Sequence, residues 1–219
     1  MSLKLQLLIE KSKKLVFFTG AGMSTNSGIP DFRGPKGVWK TSTPIYFQDF
    51  IGSRDKRIES WERKFSNELN IDLAKPNSGH LKLAEIINIK EETHLITQNV
   101  DNLHQDSGIH DSKITELHGN ATYAKCLDCL KKYELSSLKE DFLVTKAPPV
   151  CSECKGVIKT ATISFGQAMP EEEMITAQKV SINSDLFICL GSSLAVFPAA
   201  DLPLLAKETG AYLVIINNE

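Results

Sequence analysis

The sequence predicts an α/β fold, a parallel sheet covered by helices on both faces, with two inserted segments. Short apolar, β-rich runs recur along the 219 residues, and helical stretches separate some of them. Near-continuous apolar strands that alternate with helices are typical of parallel sheets that are buried on both faces. Hydrophobic residues make up 42% of the chain and charged residues 24%, with a formal net charge of −2. This composition excludes disorder and a collagen-like structure.

The predicted elements follow in order from the N-terminus. Leu5, Leu8 and Ile9 indicate a first helix, and the apolar run 15–18 then predicts a strand that stops at a glycine turn. A charged and aromatic-rich segment, 34–77, interrupts the alternation and is predicted to be a helical insert. The further predicted strands are Leu95–Thr97, Ile114–Leu117, Leu186–Leu190 and Leu213–Ile216, and the helices between some of them include Gly79–Ile89 and Glu171–Val180.

Each predicted strand is followed by polar or glycine residues. Open parallel sheets bind ligands outside the carboxyl ends of their strands, so these endings are expected to converge on one crevice. Any one of them is also typical of an ordinary turn, and only their recurrence favours a binding site. The endings are Gly20-Ala21-Gly22, Gln98-Asn99-Val100-Asp101, His118-Gly119-Asn120, Gly191-Ser192-Ser193 and Asn217-Asn218-Glu219.

Two cysteine pairs in a second predicted insert, 126–154, indicate a metal site. The pairs Cys126/Cys129 and Cys151/Cys154 are separated by 21 residues, close to the spacing of a zinc ribbon. Four thiolates close a tetrahedron around Zn²⁺ and leave no open position for water, so we expect structural rather than catalytic zinc. A redox-active pair and unligated thiols are the alternatives.

Lysines near the cysteine pairs raise the alternative of a ribbon that binds nucleic acid. Acidic residues of the same segment offset them, and the chain has 25 Lys plus Arg against 27 Asp plus Glu. We therefore expect a solvated rim and no direct nucleic-acid partner. Cys189, within the apolar run 186–190, is predicted to be a buried core thiol. The lysines in question are Lys125, Lys131, Lys132, Lys155 and Lys159.

The glycine turn matches only part of a dinucleotide-binding fingerprint. Gly20 and Gly22 would let a pyrophosphate approach backbone amides. The third glycine of the fingerprint would fall at Thr25, and residues 38–42 lack the acidic side chain that would hold an adenosine ribose. A standard dehydrogenase is therefore disfavoured. The loop instead continues to Gly34, and loops of this length are usually functional.

Several motifs, in the same order, resemble those of one family. The segment from Gly20 to Arg33, GAGMSTNSGIPDFR, is similar to the signature of the sirtuins, which are NAD-dependent protein deacylases. The sequence is identified on these motifs as a sirtuin-type catalytic core of the short bacterial kind. The other matching motifs are Thr97–Asp101 with Leu103–Gln105, Glu116–Asn120, the cysteine pairs, Phe165-Gly166, Gly191–Ser193 and Ile216-Asn217.

The resemblance implies a division of the chain into three parts. Residues 1–34, 78–120 and 160–219 would form a Rossmann-like NAD-binding domain. Residues 35–77 would form a helical module, and 121–159 a small zinc-ribbon domain with the four cysteines as ligands. NAD and an acyl-lysine peptide would bind in the cleft between these parts, and structural Zn²⁺ would be the second cofactor.

The resemblance also implies roles for single residues. His118 would be a general base on the ribose hydroxyls, work that suits the ordinary histidine pKa near 6.5. Asn99 and Asp101 would hold the nicotinamide carboxamide. Residue type alone does not select His118 from the five histidines. Phe165 and Gly166 would pair with the substrate peptide by β-augmentation. The residues implied to bind NAD are Gly20, Ala21, Gly22, Thr25, Asp31, Phe32, Arg33, Gln98, Asn99, Asp101, Gly191, Ser192, Ser193 and Asn217.

The implied activity is NAD-dependent deacetylation of protein lysines, with nicotinamide, 2′-O-acetyl-ADP-ribose and deacetylated lysine as products. A mono-ADP-ribosyltransferase, which breaks the same first bond, is the alternative, and a non-catalytic binding module is the third possibility. The sequence has Lys159-Thr160 and Gln167 where the family commonly has Arg-Pro and Glu, which predicts a different peptide preference. The Tyr and Arg pair that binds acidic acyl chains is absent around 61–67, which predicts a neutral acyl group such as acetyl.

The expected partners are acylated-lysine proteins, and the expected state is a monomer. The apolar runs are shorter than the roughly 18 residues of a membrane-spanning helix, and the N-terminus lacks the pattern of a signal peptide. We therefore expect no membrane association and a cytoplasmic location. If Glu219 is the natural end, NAD is expected to bind weakly, because members of the family continue further.

Overall fold

The computed structural model describes residues 3–34, 37–67 and 69–218. The predicted domain boundaries at residues 1, 35 and 219 lie outside the described residues, as does the expectation about Glu219. None of the described helices is both long and apolar enough to cross a membrane. The helices are α1 (Leu3–Lys11), α2 (Phe47–Gly52), α3 (Arg54–Phe65), α4 (Ser78–Ile89), α5 (Leu103–Asp106), α6 (Leu135–Thr145), α7 (Glu171–Ile182) and α8 (Asp201–Glu208). The strands are β1 (Leu15–Thr19), β2 (Thr93–Thr97), β3 (Ile114–Glu116), β4 (Gly119–Cys126), β5 (Lys132–Glu134), β6 (Ile158–Thr162), β7 (Leu186–Leu190) and β8 (Tyr212–Ile216).

Five strands form one parallel sheet in the order β3-β2-β1-β7-β8. β1 therefore lies at the centre, and Thr19 at its end is level with Thr97 of β2 and Leu190 of β7. Chain order reverses at β1, as in doubly wound nucleotide-binding sheets. All five predicted strands are confirmed, with small shifts at their ends.

Helices cover both faces of this sheet, because alternate side chains of a strand point to opposite sides. Leu15 and Phe17 of β1 pack with α1 and α4 on one face. Val16 and Phe18 pack with α7 and α8 on the other. The predicted α/β architecture is confirmed. Cys189 is 0% exposed in this core, as predicted, and its burial raises its pKa to about 12.

A second, antiparallel sheet in the order β5-β4-β6 carries the cysteine pairs. Its core contains Ile158 of β6, Phe142 of α6 and Trp61 of α3, so the helical insert and the cysteine-rich segment share one hydrophobic core. The Trp61 ring stacks on Phe65 with centroids 5.2 Å apart, and Phe65 lies 5.5 Å from Phe142. Packing between these two inserts therefore sets the position of the small sheet.

The expectation of a solvated lysine rim is wrong for Lys159. Its side chain is 3% exposed on β6, with the ammonium 5.9 Å from the Phe50 ring of α2. Helix α2 covers this part of β6, so Nζ donates inward, to the carbonyl oxygens of Thr160 and Thr162. Burial lowers the pKa of Lys159 to about 8. Lys131, by contrast, is exposed and pairs with a neighbouring glutamate, as a solvated rim requires.

Candidate functional site

The ends of the parallel strands meet at one edge of the sheet, as the sequence predicts. The loop after β1 is bonded to the loop after β7, since Gly20 N–H donates to Leu190 O at 3.0 Å and Gly22 N–H to Gly191 O at 2.8 Å. Gly191 N–H donates in turn to Ile216 O, at the end of β8, at 3.0 Å. Three strand ends are thus tied together through backbone groups.

The other two strand ends join the same edge. Gln98 N–H, after β2, donates to Thr19 O at 2.9 Å, and Leu117 N–H, after β3, donates to Thr97 O at 2.9 Å. The side chain of Gln98 reaches across the edge, with Nε2 donating to Ser192 Oγ at 2.8 Å. The ends of β1, β2, β3, β7 and β8 therefore lie along one edge of the sheet, and of the residues predicted after β8, Glu219 lies outside the described residues.

The glycines at this edge allow two loops to pack backbone against backbone. A Cβ on Gly20 would lie 2.8 Å from Gly191 O, and a Cβ on Gly22 would lie 2.9 Å from Gly191 Cα. Gly191 itself has φ of +59°, and a Cβ there would lie 2.4 Å from Met23 N. No side chain fits at these contacts. Gly20 and Gly22 were predicted to let a pyrophosphate approach, and in the structure both also pack against the loop after β7.

A buried hydrogen-bonded group connects the loop after β1 to the loop after β2. Ser24 Oγ donates to Asp101 Oδ2 at 2.6 Å and accepts from Asn99 Nδ2 at 3.2 Å. The other oxygen of Asp101 accepts from Leu103 N–H at 3.0 Å. The side chains of Ser24, Asn99 and Asp101 are all buried. Asn99 and Asp101, predicted to act together, are thus held together by Ser24, to which the sequence analysis gave no role.

The position of His118 fixes its tautomer. Nδ1 lies 3.0 Å from the carbonyl oxygen of Gln98, which only accepts, so Nδ1 carries the proton and Nε2 has the free lone pair. Burial lowers the pKa of His118, the Gln98 carbonyl raises it, and the positive charge of Arg33 lowers it further. The net shift is downward, and the ring is neutral at pH 7. His118 is therefore arranged to accept a proton at Nε2.

The long loop after the glycine turn is closed by Asp31. Asp31 Oδ1 accepts from Gly34 N–H at 2.7 Å, and its backbone carbonyl accepts from Val38 N–H at 2.9 Å. Thr25 Oγ1 donates to Gly22 O at 3.0 Å within the same loop. The predicted cofactor residues of this loop thus shape its backbone. Among the other residues that the resemblance implies for NAD binding, Phe32 is half-buried, and Arg33, Ser193 and Asn217 are exposed.

Phe165 and Gly166 lie in a turn beyond β6, where the sequence analysis expected an edge segment. The Phe165 carbonyl accepts from Phe47 N–H at 2.9 Å. The Phe165 ring lies 6.0 Å from both Trp39 and Tyr46, so it belongs to an aromatic surface formed with the helical insert. The role of this segment in peptide binding stays a prediction.

The four cysteines form one compact cluster, with all Sγ atoms within 4.8 Å of one another. The Sγ atoms of Cys126 and Cys154 are 3.5 Å apart, and those of Cys129 and Cys151 are 3.6 Å apart. A tetrahedral Zn²⁺ with Zn–S bonds of about 2.3 Å places its sulfurs about 3.8 Å apart, so the cluster fits zinc. A closed set of four sulfur ligands is suited to a structural ion.

Three further side chains support the site and were not predicted from the sequence: Thr19, Thr97 and His104. Thr19 Oγ1 donates to Thr97 Oγ1 at 2.8 Å and lies 2.9 Å from His104 Nε2. Thr97 Oγ1 also accepts from Asn99 N–H at 3.0 Å. The sequence does contain a signal for the two threonines: each is the polar last residue of an apolar strand, and the two strands pair side by side.

Comparison with known proteins places this geometry in a family. A model of the Sir2 family matches residues 20–198. The chain is 49% identical over 212 residues to the NAD-dependent protein deacetylase of Rhodopseudomonas palustris, covering 97% of this chain and 84% of that protein. It is 50% identical over 212 residues to NAD-dependent protein deacetylase 1 of Bradyrhizobium diazoefficiens, covering 97% and 83%. A solved Sir2 structure with a deacetylated p53 peptide and 3′-O-acetyl-ADP-ribose superposes with a TM-score of 0.87 at 36% identity, covering 100% of this chain and 88% of that one.

Replacement of Gly191 by alanine is expected to disrupt the contact between the two loops. Gly108→Ala is the matched control, because Gly108 also has positive φ, +95°, but a Cβ there meets nothing within 4 Å. Backbone strain alone is expected to cost about 1–2 kcal/mol in the control. Gly191→Ala should cost about 1–3 kcal/mol more because it adds a steric clash. Urea denaturation measures both free energies of unfolding, and equal losses would contradict the packing argument.

Replacement of Cys126 by serine is expected to release zinc and unfold the small sheet, because metal binding and folding are coupled in such sites. Cys189→Ala is the control, since Cys189 lies in the core of the parallel sheet and away from the cluster. Zinc content measured by atomic absorption should fall to background in the first variant and stay at the wild-type level in the second. A folded, active and zinc-free Cys126→Ser protein would refute a structural metal.

Proposed function

The chain belongs to the Sir2 family, and we propose that it is an NAD-dependent protein-lysine deacetylase. Its products would be nicotinamide, 2′-O-acetyl-ADP-ribose and deacetylated lysine. The observation that carries the proposal is the meeting of Asn99, Asp101 and His118 at the carboxyl edge of the parallel sheet. The printed names of the relatives, and the acetyl-ADP-ribose in the superposed Sir2 structure, support deacetylation over transfer of ADP-ribose to protein.

The donor set at this edge fits NAD. The loops after β1 and β7 meet through Gly20, Gly22 and Gly191 with no side chain between them, which keeps their backbone at this edge of the sheet. Polar side chains after two further strands, Gln98 after β2 and His118 after β3, lie at the same edge. When bound, NAD supplies a ribose whose bond to nicotinamide can break. We propose that the residues holding it are Gly20, Ala21, Gly22, Thr25, Asp31, Phe32, Arg33, Gln98, Asn99, Asp101, Gly191, Ser192, Ser193 and Asn217.

Asn99 and Asp101 are proposed to orient the nicotinamide end of the cofactor. Both are rigid, because Ser24 bonds to both side chains and the two residues are 8% and 6% exposed. A fixed carboxylate in a poorly hydrated position interacts strongly with positive charge that develops on a sugar ring. Pre-positioned groups of this kind lower the barrier without moving during the reaction.

His118 is proposed to be the general base. Its Nδ1–H is held by the Gln98 carbonyl, which leaves Nε2 to remove a proton from a ribose hydroxyl. The zinc ribbon, held by Cys126, Cys129, Cys151 and Cys154, would position the acyl-lysine peptide together with Phe165 and Gly166. A neutral acyl group such as acetyl, a monomeric state, a cytoplasmic location and the three-part domain division are further parts of the proposal.

An acetyl-lysine peptide incubated with and without NAD tests the function directly. Deacetylated peptide and nicotinamide should form in equal amounts, only with NAD, and mass spectrometry follows both. His118→Ala should lower turnover by about 100-fold or more, the range that general-base catalysis supplies. Circular dichroism and zinc content should be unchanged in that variant. Nicotinamide release accompanied by ADP-ribose on protein, without deacetylation, would overturn the proposal in favour of a transferase.

The pH dependence of kcat/KM should report the lowered pKa of His118. The base works as the neutral ring, so activity is present above its pKa and is lost as pH falls through it. Because burial and Arg33 lower that pKa, the acid limb should have its midpoint below the ordinary value of about 6.5. A limb centred above pH 7 would contradict the assignment of the base or of its environment.

A further inference from the structure

Two buried histidines beside the site each have one ring nitrogen without a hydrogen-bond partner among the described residues. These atoms are His80 Nε2 and His104 Nδ1. The side chains are 0% and 1% exposed, and their ring centroids lie 4.9 Å apart. Buried polar atoms are almost always paired, so two unpaired nitrogens on rings in contact need an explanation.

The contacts of His80 identify its unpaired nitrogen as a donor. Asn77 N–H donates to His80 Nδ1 at 3.3 Å, which is part of the capping box at the start of α4. Nδ1 therefore carries no proton. Burial lowers the pKa of His80, and the charge of Asp101 offsets this only in part, so the ring is neutral at pH 7. The single proton of the neutral ring is then on Nε2.

The contacts of His104 identify its unpaired nitrogen as an acceptor. Thr19 donates its hydroxyl proton to Thr97, so Thr19 Oγ1 accepts from His104 Nε2–H. Burial, and next the neighbouring His80, lower the pKa of His104 to about 3, so this ring is also neutral. Nδ1 then has a free lone pair. The reverse direction of the threonine bond would leave two N–H donors side by side, each without an acceptor.

We propose that His80 and His104 form a neutral donor–acceptor pair, with His80 Nε2–H donating to His104 Nδ1, and that the pair positions Asn99. Histidine χ2 angles have broad minima, so rings at this separation can align the two nitrogens. The pair satisfies two of the four buried side-chain atoms that lack a partner among the described residues.

The pair completes a chain of hydrogen bonds between the two loops of the site. At one end Asn77 Nδ2 donates to Met23 O at 2.9 Å and to Ser27 Oγ at 3.0 Å, both in the loop after β1. At the other end the two threonines lead to the Asn99 N–H. Breaking the chain at the histidines should therefore loosen the turn that presents Asn99. This positioning role rests on the proposed function, whereas the pairing itself does not.

Nitrogen NMR of the uniformly ¹⁵N-labelled wild-type protein tests the pairing without any assay of activity. At pH 7 both rings should be neutral with the proton on Nε2, and a coupling across the hydrogen bond should connect His80 Nε2 to His104 Nδ1. A charged ring, a proton on Nδ1 of either residue, or the absence of that coupling would overturn the pair.

Two variants remove one side of the pair and keep the outer contact. In His80→Asn, the amide oxygen still accepts from Asn77 N–H, and the donor at the ring's Nε2 position is lost. In His104→Gln, the amide nitrogen still donates to Thr19, and the acceptor at the ring's Nδ1 position is lost. His110→Asn is the matched control, since His110 is exposed and its Nδ1 accepts the backbone N–H of Ser112 at 3.2 Å.

Each single variant is expected to raise KM for NAD and so lower kcat/KM for NAD about tenfold, the effect of one lost hydrogen bond, with KM for the peptide unchanged. The double variant should also lose about tenfold, because both changes break the same contact. A loss of folded protein alone would lower kcat and leave KM for NAD as in the wild type, and that result would overturn the positioning role. Losses that multiply to about a hundredfold in the double variant would overturn the pair.

If a variant fails to fold, the NMR result on the wild-type protein decides whether the pair exists. Wild-type protein that shows the pairing but no deacetylation contradicts only the proposed function.

Discussion

The register of β1 between β2 and β7 is the constraint on which the site depends. The three strands run parallel and end level with one another, at Thr19, Thr97 and Leu190. The loops that follow must therefore leave the sheet at one place, and the loops after β1 and β7 avoid collision because the contacts between them are made by glycine backbone. A shift of β1 by one residue would exchange its two buried faces and separate these loops at the same time. The core and the site are thus fixed by the same pairing.

Burial gives the polar side chains at this edge defined states. Ser24 has a single proton to donate, so its bond to Asp101 requires it to act as acceptor for Asn99. The Gln98 carbonyl fixes which nitrogen of His118 is free. In water, such bonds would exchange rapidly with solvent. Inside the protein an unpaired group is costly, so each bond constrains the next and the orientation of the reacting groups is set before a ligand binds.

The parts predicted from sequence are those that depend on local pattern. The apolar runs are short and are bounded by polar or glycine residues, which was enough to predict strands even at β8, where no residue is fully buried. The cysteine spacing is likewise a local property of the chain. The antiparallel sheet was not predicted, since β4 pairs with β6 across more than thirty residues and carries mixed polarity. Lys159 was misjudged because its burial depends on α2, which is distant in sequence. His118 was chosen because it follows a predicted strand end and lies in the family motif, and the structure adds a ring with Nδ1 held by the Gln98 carbonyl.

The small sheet connects the cysteine cluster to the proposed catalytic edge through one strand. β4 begins at Gly119, directly after His118, and ends at Cys126. Seven residue steps of about 3.3 Å span at most about 23 Å between these ends. The connection runs through backbone pairing: Ile163 N–H, after β6, donates to His118 O at 2.8 Å, and β6 pairs with β4 up to the cysteines. A metal at the cluster therefore supports the chemistry by keeping β4 and β6 in register, and its loss should affect activity only as far as the small sheet melts.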